Sequence, residues 1–586
     1  QSHSISSLLL IALLIALLIA ISQLIKVVAT LYLKKMNQMN RENSRRSDFK
    51  KGIDAIEGRR RRDETSISIR KNKRNEGIAK RRAMPVAPTS AIPAAMDNDS
   101  MTMNDRAGAN TVESKSVYTV ADIPSLKAKI SQPNIDDATL LEVVRGFRKI
   151  LSLEHNPPVN EVLASGVLPV FVQMLQLNDK PQVQFEAAWA LTNIASTDET
   201  KAIVDAGAVP YFVQLLSSPS AEVREQCAWC LGNIAGDSSA LRDIVLSTGA
   251  LQPLLNNIVQ PDNNSLFGNC VWALSNFCRG KPVPNLSYVA PAVPVLAQIL
   301  RGKNADAKQD ALWALSYVSD GDDDNIQTVL DTGIIDVIIE LLDEESNIIT
   351  PALRTIGNIV SGNDEQTQAI IDAGLMSHMQ RLLNHPKRMV RKEACWVLSN
   401  IAAGTHQQIG TVVRTKGCMQ RVAEMAKSSE WEVRKEAIWV VSNIATGGTD
   451  KQIMSVIEAG AIEAVCSVLN VNDTKMLLVA IDAVDNILKL GVKLNKDYAS
   501  FVDECDGLTM IETLQEHESE EVYQNAVLII ETYFGAEDGA EDENLAPEVN
   551  GGTFSFGVPQ KNVDEAECPA NGHSNAQPFT TFNFAN

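Results

Sequence analysis

Aromatic residues are scarce in this chain, 5% of 586 positions. A β-sandwich draws on Tyr, Phe and Trp and fits that composition poorly, whereas the abundant Ala and Leu favour helices. Cysteine is sparse as well: nine residues spread over this length form no disulfide framework and suit a reducing compartment. Cys227 and Cys230 sit at a metal-like or redox-like spacing, but no second pair and no clustered histidine accompany them. In a segment that reads as helix they are small core residues. The seven histidines are scattered, and neither a phosphate-binding glycine loop nor a metal cluster occurs. Those absences exclude the common enzyme classes and call for no cofactor and no metal.

The formal charge of -19 conceals an asymmetry. Residues 41–82 hold 16 Lys+Arg against 7 Asp+Glu, a local +9, and residues 1–40 add +3 with no acid. The remainder carries 34 basic and 65 acidic residues, or -31. A basic arm is thus joined to a strongly acidic body. The body would repel phosphates, which argues against direct nucleic-acid binding. It suits a basic partner, and the chain's own arm qualifies.

Ile5 to Ile25 is an uncharged, largely apolar run of membrane-spanning length, followed by Lys26, Lys34 and Lys35. The first methionines are Met36 and Met39. The expectation is that residues 1–35 are a translation artefact of upstream sequence. A membrane anchor is the alternative, and a membrane partner is expected only if residues 5–25 are expressed.

A self-similar phrase dominates the rest. It reads AAWALTNIAS at 187–196, AWCLGNIAGD at 228–237, VWALSNFCRG at 271–280 and LWALSYVSDG at 312–321. It continues as ALRTIGNIVSG at 352–362, CWVLSNIAAG at 395–404, IWVVSNIATGG at 438–448 and AIDAVDNILKLG at 480–491. The period is 40 to 43 residues, that of helical solenoid repeats. A second phrase marks a turn, with Gly166, Gly207, Gly249, Gly333, Gly374, Gly417 and Gly460 keeping nearly the same spacing. Glycine suits a sharp helix-to-helix turn that needs φ > 0. One such unit cannot bury its apolar face alone; stacking makes a continuous core. The expected layout is an apolar segment at 1–35, a basic arm at 40–84, a flexible linker at 85–119, the array at 120–535, and an acidic then polar disordered tail at 536–586.

Five units hold a complete Trp-x-x-x-Asn pair: Trp189/Asn193, Trp229/Asn233, Trp272/Asn276, Trp396/Asn400 and Trp439/Asn443. A spacing of four places both side chains on one helix face. Tryptophans serving only as core would need no asparagine at that spacing. The pair also fails in a block, at Trp313/Tyr317 and Arg354/Asn358. The pattern predicts a ladder in which amides clamp the backbone of an extended peptide and the indoles bound slots for Lys and Arg. Asp237, Asp310, Glu393 and Glu436 would supply selectivity, the last three lying three residues before a Trp. Arg354 would repel a basic ligand locally and split the ladder into two stretches, which a bipartite basic peptide could span.

The arm RRSDFKKGIDAIEGRRRRDETSISIRKNKRNEGIAKRRAM (45–84) lies beside this acidic ladder. Together with AAWALTNIAS, CLGNIAGDSS, LSNFCRGK, ALWALSYVSDG, PALRTIGNIVSGNDEQTQ and the terminal ETYFG before an acidic tail, it resembles the importin-alpha (karyopherin-alpha) family over roughly residues 40–545. The resemblance implies an all-α, right-handed armadillo-repeat superhelical solenoid of about ten repeats. It implies a nuclear import adaptor that shuttles between cytoplasm and nucleus. Its partners would be cargo with basic localisation signals, importin-beta, and the export receptor with Ran-GTP, and nucleoporins are compatible with it.

By that resemblance Arg59, Arg60, Arg61, Arg62, Arg70, Lys71, Lys73 and Arg74 belong to the importin-beta-binding arm, and Lys80, Arg81 and Arg82 to an autoinhibitory segment. The major site becomes Trp189, Asn193, Thr200, Trp229, Asn233, Asp237, Trp272, Asn276 and Asp310. The minor site becomes Asn358, Asp364, Thr367, Trp396, Asn400, Glu436, Trp439 and Asn443. The chain departs from the family at ASTDET (195–200), two residues shorter and without the family's loop glycine. A junctional or vacuolar armadillo scaffold is the rival reading; it would lack the basic arm and the regular ladder.

Overall fold

A computed structural model describes residues 118–153, 157–534, 548–550 and 553–555. The basic arm, the apolar run at 5–25 and most of the linker and tail lie outside those residues. The chain divides into two compact units between Val527 and Leu528.

The first unit is helical throughout. A short opening pair, Ile123–Ile130 and Asp137–Leu151, precedes eight three-helix units built on one plan. In the first of these, Val159–Ala164 and Leu168–Met174 lead into the longer Pro181–Ile194. The third helices of the following units are Ala221–Asp237, Asn264–Phe277, Ala305–Val318, Ser346–Ile359, Arg388–Ala402, Trp431–Gly447 and Thr474–Leu494. A last set follows, Tyr498–Glu504, Gly507–Thr513 and Glu520–Ile529. Counting the opening pair, these are ten repeats.

Local sequence sets each helix. Ser220, Asn263, Asn304 and Asp473 cap third helices by accepting the backbone N–H three residues on, and Pro181 opens another without losing a helical bond. The turn between first and second helices falls on the spaced glycines, all with positive φ between 61° and 98°. Gly166 and Gly207 are among those with open space where a Cβ would stand, so conformation rather than crowding selects them. Each third helix buries its aliphatic residues, among them Leu191, Leu231, Leu274, Leu315, Leu353 and Leu398, all 0% exposed. It packs against its counterparts in the repeats on either side.

The later repeats are also joined through their first helices. Gln366 and Gln408 complete capping boxes, their Oε1 atoms accepting the N–H of Asn363 and Thr405. Their Nε2 atoms donate backwards to the carbonyls of Asp323 and Asp364, at 3.0 and 2.8 Å. Gln452 repeats the arrangement on Thr449 and His406. A row of amides thus links four successive repeats. Cys227 and Cys230 are fully buried, and burial pushes both thiols up.

In the second unit, a π-helical turn spans Ile530–Phe534. Glu548–Asn550 and Thr553–Ser555 pair as antiparallel strands, with Glu548 opposite Ser555.

At Gly207 an Ala side chain would meet no neighbour, yet φ is +75°. Gly207→Ala is therefore expected to lower stability by about 1 kcal/mol through backbone conformation alone, read from urea unfolding of the full chain.

Candidate functional site

On the five third helices that hold the pair, the Trp and the Asn four residues later share one face. The structure shows what fixes each asparagine. Its Nδ2 donates to the preceding repeat, at the residue just before that repeat's own Asn position. Asn276 donates to the Gly232 carbonyl at 3.0 Å, Asn358 to Ser316 at 2.7 Å and Asn443 to Ser399 at 2.8 Å. Asn233 and Asn400 make longer bonds to Thr192 and Gly357. Asn193 donates to the Ser152 hydroxyl, which stands in the Asn position of the opening repeat. Each amide expected to clamp a ligand therefore has one N–H engaged within the fold and a second N–H left over. The side-chain oxygens of Asn233 and Asn443 are buried and accept no hydrogen bond from the described residues.

The indoles lie against the preceding third helix. A Cβ built on Gly232 would stand 2.5 Å from the Trp272 ring, and one on Gly357 only 2.0 Å from Trp396. Only hydrogen fits beneath those rings, which explains glycine at both positions. Trp189 and Trp229 retain 9% and 8% of their surface; Trp272, Trp313, Trp396 and Trp439 are half-buried. The indoles are thus packing residues and surface residues at once. In the interrupted repeat, Tyr317 replaces Asn and stacks on its own Trp313, with centroids 6.1 Å apart.

The carboxylates divide into two kinds. Asp237 is exposed at a helix C-terminus, and Asp310 and Glu436 are half-buried one turn before Trp313 and Trp439. Glu393, expected to serve a slot, is instead 0% exposed and accepts two bonds from Arg354, at 2.8 and 2.7 Å. Burial disfavours the Arg354 charge, but Glu393 outweighs it and raises the guanidinium's pKa. Arg354 is therefore not the repulsive charge the sequence suggested: its charge is compensated.

Thr200 and Thr367 also differ from expectation. They are 1% and 0% exposed. The Thr200 hydroxyl lies within bonding distance of the Ala195 and Thr197 carbonyls, and that of Thr367 of the Val360 and Asn363 carbonyls. Neither side chain is presented outward; both close the loop before a first helix. Asp364 begins the helix Asp364–Asp372 and is half-buried, its backbone carbonyl accepting from Gln408.

One residue escaped the sequence reading. Gln226, three before Trp229, has a buried Oε1 with no hydrogen-bond donor among the described residues. It occupies the position that Asp310 and Glu436 hold in their repeats. A search of that position for carboxylates alone passed it over.

Consecutive three-helix units joined by these amide bonds define an armadillo-repeat protein. Models of the armadillo/beta-catenin-like repeat match residues 155–196, 196–236, 322–361 and 363–403, and an atypical Arm repeat matches 496–548. The crystal structure of an engineered protein superposes with a TM-score of 0.64 at 29% identity, covering 70% of this chain and 98% of that one. An importin beta binding domain matches residues 45–138. The chain is 41% identical to rice (Oryza sativa subsp. japonica) importin subunit alpha-1a, over 88% of this chain and 96% of the relative. It is 44% identical to Arabidopsis thaliana importin subunit alpha-6, over 88% and 95%. It is 36% identical to a probable importin subunit alpha-A of Dictyostelium discoideum, over 89% and 98%. The chain belongs to the importin-alpha family.

Two substitutions test the geometry. Gly357→Ala is expected to cost about 1–3 kcal/mol by driving a methyl into the Trp396 ring, visible as a shifted tryptophan emission and a lower unfolding midpoint. Asn276→Ala should cost about 1 kcal/mol by removing the bond to Gly232, measured the same way.

Proposed function

We propose that this chain is a nuclear import adaptor: it binds the basic localisation signals of cargo on the Trp/Asn face and joins them to importin-beta through the arm at 40–84. The observation that carries the reading is the ladder of asparagines on successive third helices, each anchored to the repeat before it and most standing one turn after an indole. The second N–H of each amide can donate to a backbone carbonyl of an extended peptide, a grip that takes no account of sequence. Sequence preference comes from the walls: indoles for alkyl stems and cationic heads, with Asp237, Asp310 and Glu436 to attract them.

In this reading Trp189, Asn193, Trp229, Asn233, Trp272 and Asn276 form the larger site, with Gln226 added to it. Asn358, Asp364, Trp396, Asn400, Trp439 and Asn443 form the smaller one, and a bipartite signal occupies both. The arm's Arg59–Arg62 and Arg70–Arg74 clusters engage importin-beta. When importin-beta is absent, Lys80, Arg81 and Arg82 occupy the cargo face and inhibit it. The acidic end and last repeat return the adaptor by way of an export receptor with Ran-GTP, and contact with nucleoporins accompanies passage. Such an adaptor shuttles between cytoplasm and nucleus.

A labelled Lys-rich peptide titrated by fluorescence anisotropy tests this. Removal of residues 40–84 is expected to tighten binding by roughly tenfold or more, since a tethered competitor acts at high effective concentration. Trp189→Ala with Trp229→Ala should weaken it by about 100-fold, two lost stacking walls at roughly 1–2 kcal/mol each. Unchanged affinity in the double variant would refute the site.

A further inference from the structure

The Trp position of the opening repeat is held by Arg148, 41 residues before Trp189, and that of the sixth repeat by Arg354, 42 before Trp396. Both arginines have a glutamate and an indole of the next repeat beside them, and Glu186 also accepts from Arg145. Arg148 Nε donates to Glu186 at 2.8 Å, and its guanidinium lies 4.3 Å from the centre of the Trp189 ring. Arg354 donates twice to Glu393, and its guanidinium lies 6.0 Å from the Trp396 ring. Glu186 and Glu393 each stand three residues before the tryptophan, the position held by Asp310 and Glu436 in repeats that follow a tryptophan instead of an arginine. All four groups are largely buried, with side-chain exposures of 7% and 3% for the first pair and 13% and 0% for the second.

Resting on the adaptor reading, we infer that Arg148–Glu186 and Arg354–Glu393 are built-in stops that set the register of the bound peptide. The interaction proposed for a ligand cation, stacked on an indole and paired with a carboxylate one turn upstream, is made here by the protein's own side chain. Each arginine fills the space ahead of the first tryptophan of a run. A ligand cation can enter only beyond it: between Trp189 and Trp313 in the first run, and between Trp396 and Trp439 in the second. The stops thus determine how many consecutive cationic residues each run accepts and where counting begins. Arg148 and Arg354 are specificity-determining residues that touch the neighbouring tryptophan and need not touch the ligand.

The test removes a stop and counts cations. Two peptides are compared on the full chain: a Lys-rich peptide just long enough to fill the first run, and the same peptide lengthened by one Arg, prepared with the Arg at either end. Competition from the basic arm affects both and cancels in their affinity ratio. In Arg148→Ala the space over Trp189 and the Glu186 Oε2 atom are vacated, and the added Arg can take both while Arg145 stays on Oε1 at 2.8 Å. The preference for the longer peptide, in one of its two forms, is expected to rise about tenfold over wild type. Arg148→Lys, which retains a cation, should keep the wild-type ratio. Arg354→Ala gives an independent reading with a peptide filling the second run. Thermal melting identifies folded variants. A folded Arg148→Ala or Arg354→Ala protein whose ratio matches wild type would overturn the inference. So would loss of both peptides at an unchanged melting temperature, because a stop is not needed for the spaces it bounds. A wild-type chain that binds neither peptide would instead remove the adaptor reading beneath it.

Discussion

The bond from each asparagine amide to the preceding repeat, to its backbone in all but Asn193, is the constraint on which the rest depends. It fixes the rotation of one third helix against the next, and so the height at which each indole rests on its neighbour. Gly232 and Gly357 are consequences: once the helices are held that close, nothing larger than hydrogen fits under Trp272 and Trp396. The bond uses one N–H of the amide and leaves the other, so one residue type can tie repeats together and still hold a donor in reserve.

Much of this was legible in the sequence, and the reasons are physical. Glycine at a recurring turn is forced by positive φ, and all seven spaced glycines adopt it. The period of the Trp phrase gave the repeat boundaries because a solenoid contacts only its neighbours, so every unit must solve the same packing problem. Side chains whose role depends on a partner in another repeat were less legible. Glu393 looks like Glu436 in its local phrase; what separates them is Arg354, 39 residues upstream. Thr200 and Thr367 likewise carry no sequence mark to tell a groove-facing hydroxyl from one turned back on its own loop.

The electrostatics follow the same division. A body with a net charge of -31 outside its first 82 residues attracts cations at long range without discrimination. Discrimination needs carboxylates whose surroundings differ. The interior ion pairs contribute to it, since a carboxylate neutralised by an internal guanidinium, as Glu393 is by Arg354, recruits less from solvent. Substituting one member of such a pair would leave a buried charge, whereas the same change at exposed Asp237 would not.

The row of Gln366, Gln408 and Gln452 has a mechanical meaning. Repeats joined along one line of bonds can swing about that line like pages about a spine. Repeats joined along two lines, one through third helices and one through first helices, behave as a plate. Across the sixth to ninth repeats Trp396 and Trp439 thus sit on units tied along both lines.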